Sequence, residues 1–374
     1  MKKVLCIVLL LQVGLCLFTI TAVAVDSGNF DNLGQDIIYD LKKTIDDDTL
    51  GILENIGLKD FGFEEIYNIS FENITSFFKN TLKDKISVIS KAFSELFSVV
   101  ILAGLVSVVF KEYSDENFTN ILCVVIISIM TVNVIEDSLG AVVSVLEISG
   151  KFMLCFAPIY TLIISVSGNT ATALTYNTFA LAIAEIVSTV ISSGLTDLIG
   201  AFFCLGISFS LNESVNVRRF TGIVNRVYST VLGLTASIFT GFLSLKNILS
   251  VSVDRVSVKS IRYLIGSLIP VVGSSISVAY SSLLGSINLI KSSVAIVGIL
   301  VIIIVNTPII VETLAYYLMF NLLEYLSESL QISSVADIFR IFSSGMRILL
   351  LLCIFEMFIM IITTGIVLSV KGGG

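Results

Sequence analysis

The chain has 374 residues, of which 55% are hydrophobic and only 14% are charged, and its net charge is −7. Soluble globular proteins carry about 25% charged residues, so this composition excludes an ordinary soluble domain and predicts an all-α, polytopic integral membrane protein. Because the chain contains no histidine, histidine metal sites and Ser-His-Asp triads are also excluded.

Residues 1–24 have the pattern of a secretory signal peptide. Lys2 and Lys3 precede an uncharged run from Val4 to Ile20, and 22–24 read Ala-Val-Ala, the small residues expected at a cleavage site. The alternative is a first transmembrane helix that stays attached, but the run is short for a span. We therefore predict removal of the signal, which leaves residues from Val25 onward outside the cytoplasm.

Residues 25–85 are predicted to form a small acidic extracytoplasmic segment that is mostly helical. Residues 26–85 contain 13 acidic and 6 basic side chains and so carry the whole net charge of the protein. Apolar residues recur at helical spacing, for example at Ile37, Leu41 and Ile45. The negative charge argues against nucleic acid as a partner.

Residues 86–374 are predicted to be a multi-span transmembrane domain with seven to nine apolar segments, each judged against the roughly 20 residues that a spanning helix needs. The runs at 292–311 and 314–323 are counted separately because Glu312 lies between them. Basic loops on both sides of 227–245 conflict with the positive-inside rule if that segment crosses. Either 227–245 is a re-entrant hairpin, or the basic residues after it lie at the interface as an exception.

A basic face follows this segment. Arg255, Lys259 and Arg262 are spaced to share one side of a helix. Such a face is typical of a helix that lies on an anionic membrane surface or docks against an acidic partner. A simple topological anchor is the other interpretation.

The next apolar run combines residues that break helices with a stripe of small side chains. Pro270 lies between two glycines, which predicts a bent or broken element, and small residues recur beyond it at helical spacing. Close helix packing explains such a stripe, and a water-filled path lined by hydroxyl groups is the alternative. The residues concerned are Gly266, Pro270, Gly273, Ser275, Ala279, Ser282 and Ser286.

Two acidic residues lie deepest within apolar runs. Glu185 and Glu356 are flanked by apolar neighbours, and ionisable groups in such positions are candidates for function. They suggest either a proton- or ion-coupled role or a polar clamp between helices. Arg347 precedes Glu356 by nine residues, too far to pair along one helix, so any partner of Glu356 must lie on another element.

The sequence contains no motif that indicates an enzyme. It has no glycine-rich nucleotide-binding loop and no nucleophile-and-base pair. Cys123, Cys155, Cys204 and Cys353 lie far apart in apolar runs, without metal-ligand spacing. We therefore predict a protein without catalytic residues, cofactor or metal.

Four stretches resemble the stage III sporulation protein AE family. They are Gly233 to Ser244, Ser252 to Tyr263, Ile269 to Gly273 and Ile290 to Gly298. The overall plan is also similar, with a signal peptide, a short exported segment and a polytopic domain that runs to the C-terminus.

This resemblance implies a non-enzymatic membrane subunit of the sporulation channel, or feeding tube, between mother cell and forespore, which endospore development requires. The implied location is the mother-cell membrane around the forespore, with the N-terminal segment in the intermembrane space. The implied partners are membrane lipid and other stage III sporulation subunits, both ATPase-like and ring-forming. The alternative function is a secondary transporter or permease that uses Glu185 and Glu356.

Overall fold

The structure is a computed structural model that describes Glu54 and residues 71–109, 116–166, 170–185, 196–211, 215–241 and 273–369. These residues form helices and the turns beside them, and no strand occurs among them. The predicted all-α membrane fold is therefore confirmed. The predicted signal peptide and most of the predicted acidic segment lie outside the described residues.

Seven helices make up the described part of the chain. Four stretches within them are long and apolar enough to cross a membrane: Thr75–Val106, Ile121–Leu154, Ser292–Ser329 and Ser333–Gly365. Two other helices have 16 and 15 residues, about 24 and 22 Å, which is less than the roughly 30 Å of a hydrocarbon core. The helices are α1 (Phe71–Val109), α2 (Glu116–Val166), α3 (Thr170–Glu185), α4 (Thr196–Ser210), α5 (217–241), α6 (Gly273–Ser329) and α7 (Ser333–Ser369).

Two helices are much longer than a membrane is thick. The 51 residues of α2 and the 57 residues of α6 correspond to about 77 and 86 Å. Transmembrane helices tilt by about 0–40°, so both helices must extend beyond a single hydrocarbon core. The runs at 292–311 and 314–323 both belong to α6, because Glu312 between them forms an ion pair with Lys85 of α1 (Nζ to Oε2, 2.5 Å) instead of ending the helix.

Helices α6 and α7 form an antiparallel hairpin with a very short turn. The N–H of Ile332 donates to the carbonyl oxygen of Ser327 (3.0 Å), and the N–H of Gln331 donates to that of Glu328 (3.1 Å). These two bonds define a Schellman motif, which needs a left-handed residue after the helix. Gln331 takes that conformation with φ of 59°. The motif reverses the chain within three residues and brings α7 directly back along α6.

The other helices pack around this hairpin, which forms the most extensive contact between helices in the described structure. Helix α2 contacts both α6 and α7, and α3 folds back on α2. Helix α1 runs in the direction of α6, since Lys85 meets Glu312 near its middle and Gly104 meets Leu330 near its end. Helix α4 packs on α7, where Gly206 approaches Ile341.

Two described helices run through positions where the sequence predicts a boundary or a turn. Helix α1 runs without a break through residues 85 and 86, where the domain boundary was predicted. Helix α5 is continuous through 227–241, with no turn in that part of the predicted hairpin, and 242–245 lie outside the described residues. The hydroxyls of Thr235, Ser237 and Thr240 donate to carbonyl oxygens four residues earlier. These polar residues therefore fit within a helix and do not interrupt it.

Replacing Gln331 with glycine is expected to stabilise the hairpin. A left-handed residue with a Cβ costs roughly 1–2 kcal/mol, and the greater freedom of glycine in the unfolded chain offsets roughly half of that gain. We expect Gln331→Gly to raise the free energy of unfolding by about 0.5–1 kcal/mol, measured by thermal unfolding in detergent. Gln331→Ala, which keeps the Cβ, should remain close to the parent protein. Equal stabilities of the two variants would contradict this reading of the turn.

Candidate functional site

Five charged side chains form a network where α6 ends, α7 begins and α5 begins. Arg340 of α7 is the centre and is only 12% exposed. Its Nε donates to Glu324 (2.9 Å), its Nη2 donates to Glu328 (2.5 Å), and its Nη1 donates to Asp337. Each nitrogen of one guanidinium group thus binds a different carboxylate. We call these residues, together with Arg218, the charged network.

Arg218 connects α5 to this network. The side chain of Asn216 accepts a hydrogen bond from the backbone N–H of Arg219 (2.9 Å) and so caps the N-terminus of α5. This cap places Arg218 in the first turn, where its Nη2 donates to the Glu328 carboxylate (2.9 Å). A cavity of about 650 Å³ lies beside Arg218, Arg340 and Asp337. Every carboxylate in the network accepts a hydrogen bond from an arginine. The network therefore holds α5, α6 and α7 together.

A second polar group lies in the interior of the bundle, where α2, α6 and α7 meet. Glu356 and Asn306 are completely buried, and Ser149 is 3% exposed. The side chains of Ser149 and Asn306 lie beside the Glu356 carboxyl group, yet neither of its oxygens accepts a hydrogen bond in standard geometry. We call Ser149, Asn306 and Glu356 the buried polar cluster. Its members come from three helices, α2, α6 and α7.

A row of aromatic side chains on α2 packs against α6. Phe152, Phe156 and Tyr160 follow one face of α2, with ring centroids 4.0 and 5.0 Å apart along the row. The Tyr160 hydroxyl donates to the carbonyl oxygen of Val294 (3.2 Å). Gly298 of α6 makes this approach possible, because a Cβ there would lie 2.3 Å from the Tyr160 hydroxyl oxygen. The glycine is therefore required by close packing of α2 on α6.

The structure covers only part of the predicted site. Glu356 is buried at a helix junction, and Glu185 is the last residue of α3. The small-residue stripe lies in the N-terminal part of α6. The predicted residues outside the described part of the chain are Gly266, Pro270, Arg255, Lys259 and Arg262.

The sequence analysis did not predict the charged network or the two residues that lie beside Glu356. A signal for the network was present, since Asp337 and Arg340 are three residues apart and Glu324 and Glu328 are four apart, which are helical spacings. Asn306 was also visible as the one amide side chain in the apolar run 292–311. Ser149 carried no comparable signal, because serine is frequent in this chain.

A comparison with protein families identifies the chain. A family model described as Stage III sporulation protein AE matches residues 58–371, more than four fifths of the 374 residues. The chain belongs to the stage III sporulation protein AE family. Membership implies a role in sporulation and association with a membrane, which agrees with the apolar helices. Neither the comparison with curated proteins nor that with solved structures gave a match.

Removal of the Arg340 side chain is expected to destabilise this protein strongly. Arg340→Ala leaves Glu324 and Asp337 part-buried without their arginine, and breaking a buried ion pair costs about 3–5 kcal/mol. Arg218 is 73% exposed, and an exposed pair contributes about 0.2–1 kcal/mol, so Arg218→Ala is the matched control. Thermal unfolding in detergent measures both variants. Similar losses for the two arginines would show that Arg340 is not the centre of the network.

Enlarging Gly298 is expected to disturb the junction of α2 with α6. Gly298→Ala places a methyl group against the Tyr160 hydroxyl, and such overpacking costs about 1–3 kcal/mol. Tyr160→Phe in the same chain removes the oxygen and should restore part of the loss. Gly233→Ala is the control, since no atom lies within 4 Å of a Cβ there, and it should be neutral or stabilising by up to about 1 kcal/mol. An unchanged unfolding temperature for Gly298→Ala would contradict the close approach.

Proposed function

We propose that this chain is a non-enzymatic membrane subunit of the sporulation channel, or feeding-tube, complex between mother cell and forespore. The observation that carries the proposal is the family match over residues 58–371. The bundle supports it, because four apolar stretches are long enough to span a membrane and two of them form a tightly packed hairpin. The channel itself and its location around the forespore are part of the proposal.

The use of polar groups in the bundle supports a structural role. Thr131, Thr313 and Ser327 are completely buried, and each hydroxyl donates to the carbonyl oxygen four residues earlier in its own helix. The hydrogen of each such hydroxyl is committed to its own helix. The charged network likewise joins helices. These features favour a subunit that transmits or maintains structure over one that catalyses a reaction.

The proposed partners are membrane lipid and other stage III sporulation subunits. Apolar side chains point away from the bundle on several helices, among them Val88, Ile129 and Ile238, which are 63%, 68% and 72% exposed. A lipid environment removes the cost of such exposure. An ATPase-like subunit is proposed to supply energy. Ring-forming subunits are proposed to contact residues 25–85 in the intermembrane space. The secondary-transporter alternative gains no support from the family match.

Complementation tests the proposed role. In an endospore-forming host without its own family member, the chain should restore spore formation and should co-purify with the other stage III sporulation proteins. Arg340→Ala should restore neither if it unfolds, whereas Arg218→Ala should restore both. A chain that accumulates in the membrane but supports neither spore formation nor co-purification would contradict the proposal.

The small-residue stripe gives a sharper test of assembly. If the stripe is a packing surface, Ser282→Leu should reduce co-purification of the other subunits, because a bulky side chain separates helices that small residues hold close. Ser229→Leu is the control, as Ser229 is an exposed position of α5. Cysteine variants along the stripe, in a chain lacking the native cysteines, should resist water-soluble thiol reagents. Rapid labelling of Ser275→Cys and Ser282→Cys in the complex would instead identify a water-filled path.

A further inference from the structure

The buried polar cluster is short of hydrogen-bond donors. Both carboxyl oxygens of Glu356 and the Oδ1 of Asn306 are buried without a hydrogen-bond partner. The amide Nδ2 of Asn306 is already used, since it donates to the carbonyl oxygen of Ile302 (3.0 Å) and lies 3.5 Å from the Oγ of Ser149. Ser149 brings only one hydroxyl hydrogen. The Glu356 carboxyl group thus has no hydrogen-bond donor in standard geometry, although the side chains of Ser149 and Asn306 lie beside it.

No positive side chain in the described structure compensates the Glu356 carboxyl group. The groups that face it from α2 and α6 are Ser149 and Asn306, which do not ionise, and Cys353 lies near it on α7. The charged residues of α2 nearest in sequence to Ser149 are Glu147 and Lys151, which are half or more exposed and pair with each other (3.7 Å). Lys85 pairs with Glu312 (2.5 Å). Among the described residues, these lysines therefore pair with other carboxylates and do not balance a negative charge on Glu356.

A bound proton supplies the hydrogen-bond donor that the buried polar cluster lacks. An isolated carboxylate in an apolar interior is so costly that such a group binds a proton and becomes neutral. A protonated carboxyl group has one O–H donor, and the Asn306 side chain beside it has an oxygen, Oδ1, without a hydrogen-bond partner. One added proton therefore removes the charge and supplies a donor that an oxygen of α6 is free to accept.

We propose that Glu356 is a proton-binding site of the bundle, in which its carboxyl group donates to Asn306 Oδ1 when protonated. Proton binding forms the O–H bond and the hydrogen bond between the helices, and release reverses both, with no other reactant. Release leaves an unpaired charge where α2 packs on the α6–α7 hairpin, so protonation controls the packing of α2. This site goes beyond the proposed subunit function, which does not depend on a bound proton, and it is tested on the purified chain.

The pH dependence of unfolding measures the bound proton. An unfolded glutamate ionises near pH 4.3, whereas the proposed site holds its proton in the folded chain. The folded state then binds one proton more, so stability decreases as pH rises, and the unfolding equilibrium constant increases about tenfold per pH unit from this group. Glu356→Gln retains the shape without the proton. The ratio of the unfolding constants of parent and variant should therefore change about tenfold per pH unit until Glu356 ionises in the folded state.

Infrared spectroscopy of the full chain in detergent observes the proton directly. At neutral pH the parent protein should show the carbonyl band of a protonated carboxyl group, and Glu356→Gln should lack it. The control Glu147→Gln removes an exposed carboxylate and should leave the band in place. Asn306→Ala keeps the carboxyl group and removes its acceptor, so it should shift the band and provides a second variant if Glu356→Gln does not fold.

Two results would overturn the proposal. A parent spectrum without the band, or an equal pH dependence in parent and Glu356→Gln, would show that Glu356 holds no proton in the folded state. Stabilisation of the parent by sodium chloride but not by choline chloride, lost in Glu356→Gln, would assign the site to a sodium ion instead. Because these measurements need no partner subunit, they can fail while the channel role stands, and the reverse also holds.

Discussion

Close approach of α6 and α7 is the constraint from which the rest of the bundle follows. The Schellman motif at Gln331 reverses the chain within three residues, so the two helices begin their contact at the turn and continue it along their length. Two glycines then allow other helices to pack closely on this hairpin. The ring of Phe203 from α4 lies against Gly345, and Tyr160 from α2 lies against Gly298. A Cβ at either position would lie within 2.3 Å of a neighbouring side chain.

Polar residues in this bundle follow two different rules. Many of the described serine and threonine hydroxyls donate to a carbonyl oxygen of their own helix, as at Thr131 and Thr363, and so these hydroxyls do not depend on another helix for a partner. Charged residues cannot be satisfied in that way and depend on other helices. Arg340 finds three carboxylates at the end of the hairpin, while Glu356 finds only an amide and a hydroxyl. The first arrangement is complete, and the second requires a proton.

The lengths of the helices bear on the role of a membrane subunit. A hydrocarbon core of about 30 Å needs about 20 helical residues, yet α2 and α6 have 51 and 57. Each helix therefore continues beyond the layer that it crosses, and the charged pairs Lys85 with Glu312 and Glu147 with Lys151 lie along its length. Helices of this length place residues outside the hydrocarbon layer, where the proposed partner subunits are able to contact them.

Composition and periodicity alone determined the class of this protein, because the lack of charge and the long apolar runs are compatible only with helices in lipid. They also singled out Glu356, since a lone carboxyl group in an apolar run is costly wherever it lies. Segment boundaries were less predictable: Glu312 and the polar residues of α5 resemble breaks in sequence, but an ion pair and local hydroxyl bonds keep the helices continuous. Only the tertiary structure brought Asn306 and Ser149 to Glu356 and three carboxylates to Arg340, because contacts between residues distant in sequence depend on how helices pack.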